Sequence, residues 1–553
     1  MQTKQLNIVL LSLILLGGVS GMLQEGCTTN PSESQIPNRP PETSLWTDTI
    51  GRVLTSQVTL HWWGDDPDGF LLGYFVTVDG EHWTFTTSND STIVVDIGTK
   101  NIDTSKIQVA AVDKQGNGVW DASVIIDGQD IGGEPFVDAD SNGTYTPGEK
   151  FIDCGLIDQT PATLSVVIKN SPPSVAFEVN TSIPSSTLPV VSILFNGTDP
   201  DGNSTIKNYY IALNDTSASA WQILPNTVSL VTLVGDLSDT SATVVPMALK
   251  SGTNAEDLGI SVQGLQLNHT NVLYLYCTDL TGSRSPVIRM PDSTKTWYVQ
   301  KPVGRKKLLL IDDFGTGSPN PTQVYKSALS QTMNSSDVSY SDFDVLNLYT
   351  GDISPSLSKP MLSQTMIQYP IVLWYVRTGD VEHLRYAQET VPGYIQNGGK
   401  VVFTSGFENF VTNGSLPLNF LPIDTLVTGY RINDSTSHPG YISRVYKDSK
   451  ILPTDSVSSS PYPLLVYDRT AIFGTYAFEP GPTDSVLYKL DLPNPSNSQE
   501  LWVGHPSVGV ISNNRSLVFF SMPLHLMNTV DSKDGRSRLT KLFERIFRGE
   551  FGE

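Results

Sequence analysis

Two similar segments constrain the fold of this chain more than any other feature. Residues 64–69 read GDDPDG and residues 197–202 read GTDPDG. Each segment follows an alternating apolar stretch and precedes a stretch that contains tyrosine (Tyr74 in the first; Tyr209 and Tyr210 in the second). Similar strand ends follow later in each copy, AAVDKQG and YCTDLTG. Two copies of one module explain this spacing.

The pattern within each copy predicts a β-sandwich. Val58, Leu60 and Trp62 alternate with residues of the opposite face, which is the period of a half-buried strand. The DPDG stretch predicts a turn, because proline presets φ, aspartate bonds its own backbone and glycine tolerates positive φ. We therefore expect two antiparallel β-sandwich modules.

These features resemble the fibronectin type III or immunoglobulin-like domains of bacterial surface lipoproteins. The resemblance is carried by the tryptophan of the second strand (Trp62 or Trp63), the DPDG turn, the Gly-Tyr strand and the A-x-D-x-x-G strand end. It covers roughly residues 42–300, with module 1 at 42–171 and module 2 at 172–300. It implies a fold but no particular activity. The turn aspartates could alternatively hold a metal, as in calcium-rigidified surface repeats, although the turn already accounts for them.

The N-terminus predicts export. Residues 6–19 are almost wholly apolar, and small residues follow at Ser20, Gly21 and Gly26 before Cys27. This stretch is short of the roughly 20 residues that cross a bilayer, so a secretory signal over residues 1–26 fits better than a permanent transmembrane helix. The segment resembles the bacterial lipobox, which implies a lipid anchor on Cys27 in the cell envelope, at the outer membrane or cell surface. Cleavage near Gly21 without lipidation is the alternative.

The proline-rich residues 27–41 predict a flexible tether. The net charge of −21 argues against nucleic acid as a partner, since that contact needs basic patches. The remaining cysteines, Cys154 and Cys277, fall in different modules, so we expect no disulfide between them.

An insertion at about residues 126–160 of module 1 carries a calcium-binding pattern. Residues 138–149 read DADSNGTYTPGE, which fits D-x-[DN]-x-[DN]-G-x₅-E. The expected ligands are Asp138, Asp140, Asn142, the carbonyl of Thr144, and Glu149 with both carboxylate oxygens. Residues 126–137 contain three glycines and a proline, so we expect no entering helix. An acidic surface turn without an ion is the alternative.

Residues 301–553 predict a doubly wound α/β domain. The runs LLLI (308–311), IVLWY (371–375), VVFT (401–404) and LVFF (517–520) indicate buried strands, with helices at about 321–333 and 381–396 between them. An amphipathic segment at 537–548 is expected to cover the sheet. The pattern resembles class I glutamine-amidotransferase-like (flavodoxin-like) domains, in which a cysteine at a strand–helix elbow is the nucleophile.

This domain contains no cysteine, so the resemblance does not imply amide transfer. Ser405 at a strand end is a nucleophile candidate, with His505 or His525 as base. However, the G-x-S-x-G elbow is missing and no acidic residue near either histidine is evident. Asp312 and Asp313 end the first strand, where α/β sites form; such a pair more often caps the following helix.

The sequence thus predicts a non-enzymatic envelope lipoprotein that binds or scaffolds a protein or glycan. A hydrolase or transferase acting through the C-terminal cleft is the alternative. Glycan binding rests on Trp62, Trp63 and Trp83 alone, and their spacing is that of core residues.

Overall fold

The computed structural model describes most of the chain. The described residues are 37–48, 53–95, 100, 102–179, 183–303, 308–331, 343–349, 355–377, 381–407, 419–427, 441–454, 461–468, 473–492 and 503–552. They divide into two compact units, one within 1–50, 59–92 and 105–166, the other within 51–58, 93–104 and 167–553. Across these ranges, no helix has both the length and the apolar character needed to cross a membrane.

The first module is a β-sandwich. One sheet has the order β1-β3-β6 and the other β2-β10-β7-β4-β5, while β8 and β9 form a hairpin in the insertion. The strands are β1 (Glu42–Thr47), β2 (Val53–Thr55), β3 (Gln57–Asp65), β4 (Leu71–Thr77), β5 (Thr84–Thr86), β6 (Asp90–Val94), β7 (Ile102–Asp113), β8 (Ile125–Ile126), β9 (Gln129–Asp130) and β10 (Ala162–Lys169). Trp62 on β3 is buried, as the alternation predicts, whereas Trp63 is 58% exposed, so the assignment of Trp63 to the core is wrong.

The second module is also a sandwich, with sheets β11-β13-β16-β17-β18 and β15-β14-β20-β21 and a small sheet β12-β22-β19. Its strands are β11 (Ser174–Phe177), β12 (Ser186–Thr187), β13 (Val190–Thr198), β14 (Ile206–Leu213), β15 (Gln222–Pro225), β16 (Leu230–Gly235), β17 (Val244–Ser251), β18 (Glu256–Gln266), β19 (His269–Asn271), β20 (Leu273–Asp279), β21 (Ile288–Met290) and β22 (Trp297–Val299). A short 3₁₀ turn covers Asn203–Thr205.

The same tyrosine contact occurs in both modules. The Gly64 N–H donates to the Tyr74 hydroxyl oxygen at 3.2 Å, and the Gly197 N–H donates to that of Tyr209 at 3.1 Å. Each glycine begins the GDDPDG or GTDPDG segment, and a Cβ there would meet the tyrosine ring. The repeat detected in the sequence is therefore also a repeat of packing.

Both described cysteines, Cys154 and Cys277, are buried free thiols, in agreement with the prediction. Burial raises the pKa of Cys154 to about 12. Both thiols are therefore small, unreactive core residues at neutral pH.

The C-terminal part is built on a mixed sheet with the strand order β24-β23-β25-β26-β35-β34-β33-β29-β30, from which β32 and β27 branch at β34. The strands from β24 to β35 in that order are mutually parallel. The strands are β23 (Leu308–Asp313), β24 (Phe343–Asn347), β25 (Ile371–Val376), β26 (Lys400–Ser405), β27 (Ile423–Leu426), β28 (Tyr441–Val445), β29 (Lys450–Pro453), β30 (Leu465–Val466), β31 (Phe473–Tyr476), β32 (Phe478–Pro480), β33 (Ser485–Asp491), β34 (Ser507–Ile511) and β35 (Leu517–Phe520).

Helices cover both faces of the parallel strands. They are α1 (Pro321–Ser330), α2 (Pro355–Met366), α3 (Val381–Gln396) and α4 (Arg538–Glu544), with a 3₁₀ turn at Leu524–Met527 and a π-helical turn at Arg545–Glu550. Leu308 and Leu310 pack with α1 and α4, whereas Leu309 and Ile311 pack with α2 and α3. The strand runs, α3 and the covering segment lie where predicted. The long antiparallel extension was not predicted.

Leu188 of the second module belongs to the same buried cluster as α2 and α3. The second module and the α/β region accordingly form one compact unit.

Candidate functional site

The ends of the acidic loop at residues 138–149 are held together by a short antiparallel ladder. Phe136 and Phe151 form a β-bridge, and the Val137 N–H donates to the Lys150 carbonyl oxygen at 2.8 Å. Residues 126–137 contain strand β9 and no helix, as expected from their glycines and proline. A β-ladder thus closes the loop in place of flanking helices.

Three predicted ligands meet in this loop. One carboxylate oxygen from each of Asp138, Asp140 and Glu149 lies within 4.8 Å of the others. Glu149 is fixed at both oxygens, because Oε1 accepts the Ala139 N–H at 2.7 Å and Oε2 accepts the Thr146 N–H at 2.8 Å. Glu149, the ligand expected to close the site, is therefore hydrogen-bonded to Ala139 at the beginning of the loop.

Asp138 is held by the bend of the loop. Its Oδ2 accepts the Gly143 N–H at 2.8 Å, and its Oδ1 accepts the Asn142 N–H at 3.1 Å. Ser141 (φ 59°) and Gly143 (φ 76°) both adopt the left-handed conformation that turns these amides inward. The Gly143 bond lowers the pKa of Asp138, so this carboxylate stays ionised at neutral pH.

The other two predicted ligands lie beside this group. Asn142 donates from Nδ2 to Asp140 Oδ2 at 2.8 Å, and its Oδ1 accepts the Thr144 N–H at 2.7 Å. Asn142 therefore contacts an expected ligand, while its own amide oxygen faces Thr144.

An aromatic cluster beneath the loop was not predicted. The Tyr145 ring stacks on Trp120 and packs edge-on against Phe136 and Phe151, with centroids 5.8 Å away in both edge contacts. The sequence signal was present, since all four residues lie within or next to the insertion. No periodicity links them, however, and only the fold brings them together.

The donor atoms of this loop suit a hard cation. Carboxylate and amide oxygens are preferred by Ca²⁺, whereas zinc and copper favour histidine and cysteine. Within the described parts of the chain, no other group of three histidine, cysteine, aspartate or glutamate side chains comes as close. The residues present therefore fit calcium, and Asp138, Asp140 and Glu149 would hold it.

The candidate Asp312 in the α/β region lies at the end of β23 and is engaged by its neighbours. Its Oδ1 accepts the N–H groups of Phe314 and Gly315, each at 3.1 Å, and its Oδ2 accepts the Thr322 hydroxyl at 2.5 Å. The Thr322 hydroxyl also lies 2.9 Å from that of Tyr375. Asp312 thus holds the β23–α1 connection.

The expected capping of the next helix by the Asp312–Asp313 pair is wrong. The N-cap of α1 is Asn320, whose side chain accepts the Gln323 N–H. Asp313 instead accepts from Trp374 Nε1 at 3.2 Å on the neighbouring strand. Asn320 already supplies the side-chain acceptor at the start of α1, and Asp312 reaches the first turn only through the Thr322 hydroxyl.

Ser405 and His525 are both buried. The Ser405 hydroxyl donates to the Gly406 carbonyl oxygen at 3.1 Å. The His525 ring packs edge-on against Phe314 at 4.6 Å, and its backbone N–H donates to the Tyr325 hydroxyl oxygen at 3.1 Å. Burial is the main cause that raises the pKa of Tyr325 far above its ordinary range. These contacts take the serine to Gly406 and the histidine to Phe314 and Tyr325.

His505 has an acidic neighbour that the sequence did not reveal. Its Nδ1 lies 3.3 Å from Asp491 Oδ1, and both side chains are partly exposed. This pair joins the end of β33 to the segment before β34. The predicted lipidation site, Cys27, lies outside the described residues.

Fibronectin type III modules are among the solved structures to which this chain is similar, at low similarity. Neither protein-family models nor curated proteins give a match. The fibronectin(III)-like modules of Clostridium thermocellum CbhA share 9% identity over 47% of this chain and 94% of theirs, with a TM-score of 0.14. The chicken CNTN1 FN1–FN3 domains share 11% identity over 44% of this chain and 66% of theirs, with a TM-score of 0.14. A two-domain fibronectin type III segment of chicken tenascin shares 8% identity over 46% of this chain and 96% of its own, also with a TM-score of 0.14. The assignment of the sandwich fold rests on the sheets of this chain.

Proposed function

We propose that this protein is an exported, non-enzymatic lipoprotein of the bacterial envelope that binds or scaffolds a protein or glycan. Cys27 anchors it to the membrane, and two fibronectin type III- or Ig-like modules present a calcium-ordered loop. The observation that carries the proposal is the group of Asp138, Asp140 and Glu149 in that loop.

Calcium is expected to order the loop because three carboxylates repel one another at this distance. A bound cation converts that repulsion into attraction. Extracellular calcium modules typically bind with dissociation constants of about 10⁻⁴–10⁻³ M, which suits a surface exposed to millimolar calcium. The ladder and the aromatic cluster below the loop supply a rigid base, so few contacts need to form on binding.

The test is thermal unfolding and calorimetry of the protein with millimolar calcium and with chelator. Calcium should raise the unfolding temperature of the unit that contains the loop, by an amount that corresponds to about 2.7 kcal/mol at 100 times the dissociation constant. Glu149→Gln should remove most of this shift. Glu178→Gln, outside the loop, is the matched control. If each of the three proteins gives the same unfolding curve with calcium as with chelator, the calcium assignment is refuted.

The strand order of the α/β region supports an amidotransferase-like, flavodoxin-like domain. Numbered along the chain, its parallel strands lie in the order 2-1-3-4-5. The nucleophilic cysteine of that family is absent, and Ser405 and His525 are buried in separate contacts. We propose that this domain serves binding and not catalysis.

One observation favours the second candidate, a hydrolase or transferase. Asp312 and Tyr375 are the penultimate residues of β23 and β25, and these are the strands between which the order reverses. Ligands of open α/β sheets bind at such a point. Turnover of an ester or amide that is lost in Asp312→Asn would support this candidate.

A further inference from the structure

We propose that the turn at residues 199–202 of the second module and the chain just before β11 form a separate binding site for a divalent cation of the calcium class. Asp199, Asp201 and Asn170 supply the ligands. The proposal does not depend on the loop at 138–149.

Three buried oxygens at this place have no hydrogen-bond partner among the described residues. They are Asp199 Oδ2, Asp201 Oδ1 and Asn170 Oδ1. The three residues are only 7%, 4% and 4% exposed, respectively. Burying polar oxygens without partners is costly, and proteins rarely do so three times at one place without a ligand.

The other oxygens of the two aspartates are already bonded. Asp199 Oδ1 accepts the Asp201 N–H at 2.8 Å. Asp201 Oδ2 accepts the Ser171 N–H at 2.7 Å and lies 3.3 Å from the Ser56 hydroxyl. The Thr205 hydroxyl, which is also close to Asp199, donates to the Gly202 carbonyl oxygen at 2.6 Å. These bonds fix both carboxylates and leave one oxygen of each for a ligand.

Asp279 is a positioning residue at this site. Its Oδ2 accepts Asn170 Nδ2 at 2.7 Å, and its Oδ1 accepts the Ser283 N–H at 2.8 Å and the Thr281 hydroxyl at 2.7 Å. Both of its oxygens are therefore used. Because Asp279 holds the amide nitrogen of Asn170, the amide oxygen is the atom left for the cation.

The charge balance also indicates a cation. No ion pair among the described residues involves Asp199, Asp201 or Asp279. Asp199 and Asp201 are both buried, so water screens little of the repulsion between their carboxylates. A bound cation would stabilise the ionised carboxylates that this environment otherwise disfavours.

The first module repeats the arrangement with its own residues. Asn38 Nδ2 donates to Asp113, as Asn170 does to Asp279. The Asp68 N–H donates to Asp66 Oδ1 at 3.2 Å, as Asp201 does to Asp199. Asn38 Oδ1 and Asp66 Oδ2 are likewise buried without a partner among the described residues. The same network in two copies that differ in most other residues argues for a shared purpose.

The ligand atoms determine the class of the ion. All are oxygens, two are anionic, and no thiolate or imidazole takes part. Such sets bind hard cations, and calcium accepts irregular oxygen geometry more readily than magnesium does. A cation here would join the chain before β11 to the turn at 199–202.

The experiment uses the full chain with the loop silenced by Glu149→Gln. In this parent, Asp199→Asn/Asp201→Asn should bind one calcium ion fewer per chain in equilibrium dialysis with ⁴⁵Ca. Asp257→Asn, an exposed carboxylate of the same module, should bind as the parent does. Asn170→Ala keeps both carboxylates but loses the amide oxygen, and should weaken the site at least tenfold.

Unfolding in chelator checks that the variants fold. Without calcium, the double variant should unfold at the same temperature as the parent or higher, because it has lost buried like charges. Calcium should raise the unfolding temperature of the double variant less than it raises that of the parent. Equal calcium stoichiometry in the parent and the double variant would overturn the proposal. So would an unchanged affinity in Asn170→Ala. Failure of the loop assignment appears separately, as equal calcium binding by wild type and Glu149→Gln.

Discussion

The Tyr145 ring stacks on the Trp120 indole with centroids 4.4 Å apart and an interplanar angle of 15°. Tyr145 is the eighth residue of the acidic loop, and Trp120 lies near the start of the insertion. This contact attaches the loop to a fixed aromatic base. Stacked and edge-on aromatic pairs contribute about 0.5–1.5 kcal/mol each beyond the area they bury.

We expect Tyr145→Ala to weaken calcium binding by the loop about tenfold and to lower the unfolding temperature in chelator. Without the ring, calcium binding must also fix the position of the loop on Trp120, which the stacking supplies in the wild type. Tyr145→Phe keeps the ring and should behave as the wild type. Calorimetry of both variants checks this, and equal affinities in Tyr145→Ala and wild type would show that the ring does not order the loop.

The turn after β4 should contribute to the stability of the fold by an amount that depends on pH. Asp79 is partly buried, which raises its pKa, but the N–H groups of His82 and Glu81, bonded at 2.8 and 2.9 Å, outweigh burial and lower it to about 2. Since the folded pKa lies below the ordinary value, this stabilisation is present above about pH 4 and is lost as the pH falls toward 2.

Asp79→Ala should therefore reduce the unfolding temperature at pH 7, and the difference from wild type should shrink between about pH 4 and pH 2. Glu81→Ala, an exposed acid in the same turn, is the control. Thermal unfolding across this range provides the measurement. A difference that stays constant with pH would mean that the ionised carboxylate is not the cause.

The side chains of Asp312 and Ser405 should contribute different amounts to the free energy of unfolding. Asp312→Ala leaves two backbone N–H groups without their acceptor, so we expect a loss of about 1–3 kcal/mol. Ser405→Ala loses one hydroxyl bond to a neighbouring carbonyl and should cost at most about 1 kcal/mol. Denaturant unfolding measures both. Glutamine-dependent ammonia release that Ser405→Ala abolishes would contradict the non-enzymatic proposal.

Cys27 should carry lipid. The short apolar run that ends at Gly26-Cys27 predicts that a bacterial host processes and acylates the protein. Labelling with an alkyne palmitate should mark the wild type in the membrane fraction and leave Cys27→Ala unlabelled. Cys154→Ala, a buried thiol, is the control and should label normally. An unlabelled, fully soluble wild type would favour plain signal cleavage.

Residues 301–553 are expected to fold as a separate fragment with a single cooperative transition. Leu188 lies in the same buried cluster as α2 and α3, so the fragment should be less stable than this region in the full chain. Leu188→Ala in the full chain should lower stability by about 2–5 kcal/mol. Circular dichroism during denaturation would test both, and a fragment without a cooperative transition would show that it needs the second module.

Local features of the fold could be predicted because they depend on neighbours in the chain. The alternation through Val58, Leu60 and Trp62 placed β3, and the apolar runs placed β23, β25, β26 and β35. The acidic loop was found because its ligand spacing is itself a local property. The antiparallel extension from β27 to β34 was missed, since its short strands pair over long separations and carry weak periodicity.

The sequence by itself determined the repeated module, the buried strands and the residues of the acidic loop. Periodicity, turn residues and ligand spacing act over a few positions and survive in a linear pattern. Only the tertiary structure decided which polar atoms find partners. Asn170 and Asp279 lie 109 positions apart, and nothing in their spacing indicates that one holds the other. Hydrogen bonds of that kind form only once packing has excluded water, so the oxygens left without partners are a property of the folded chain alone.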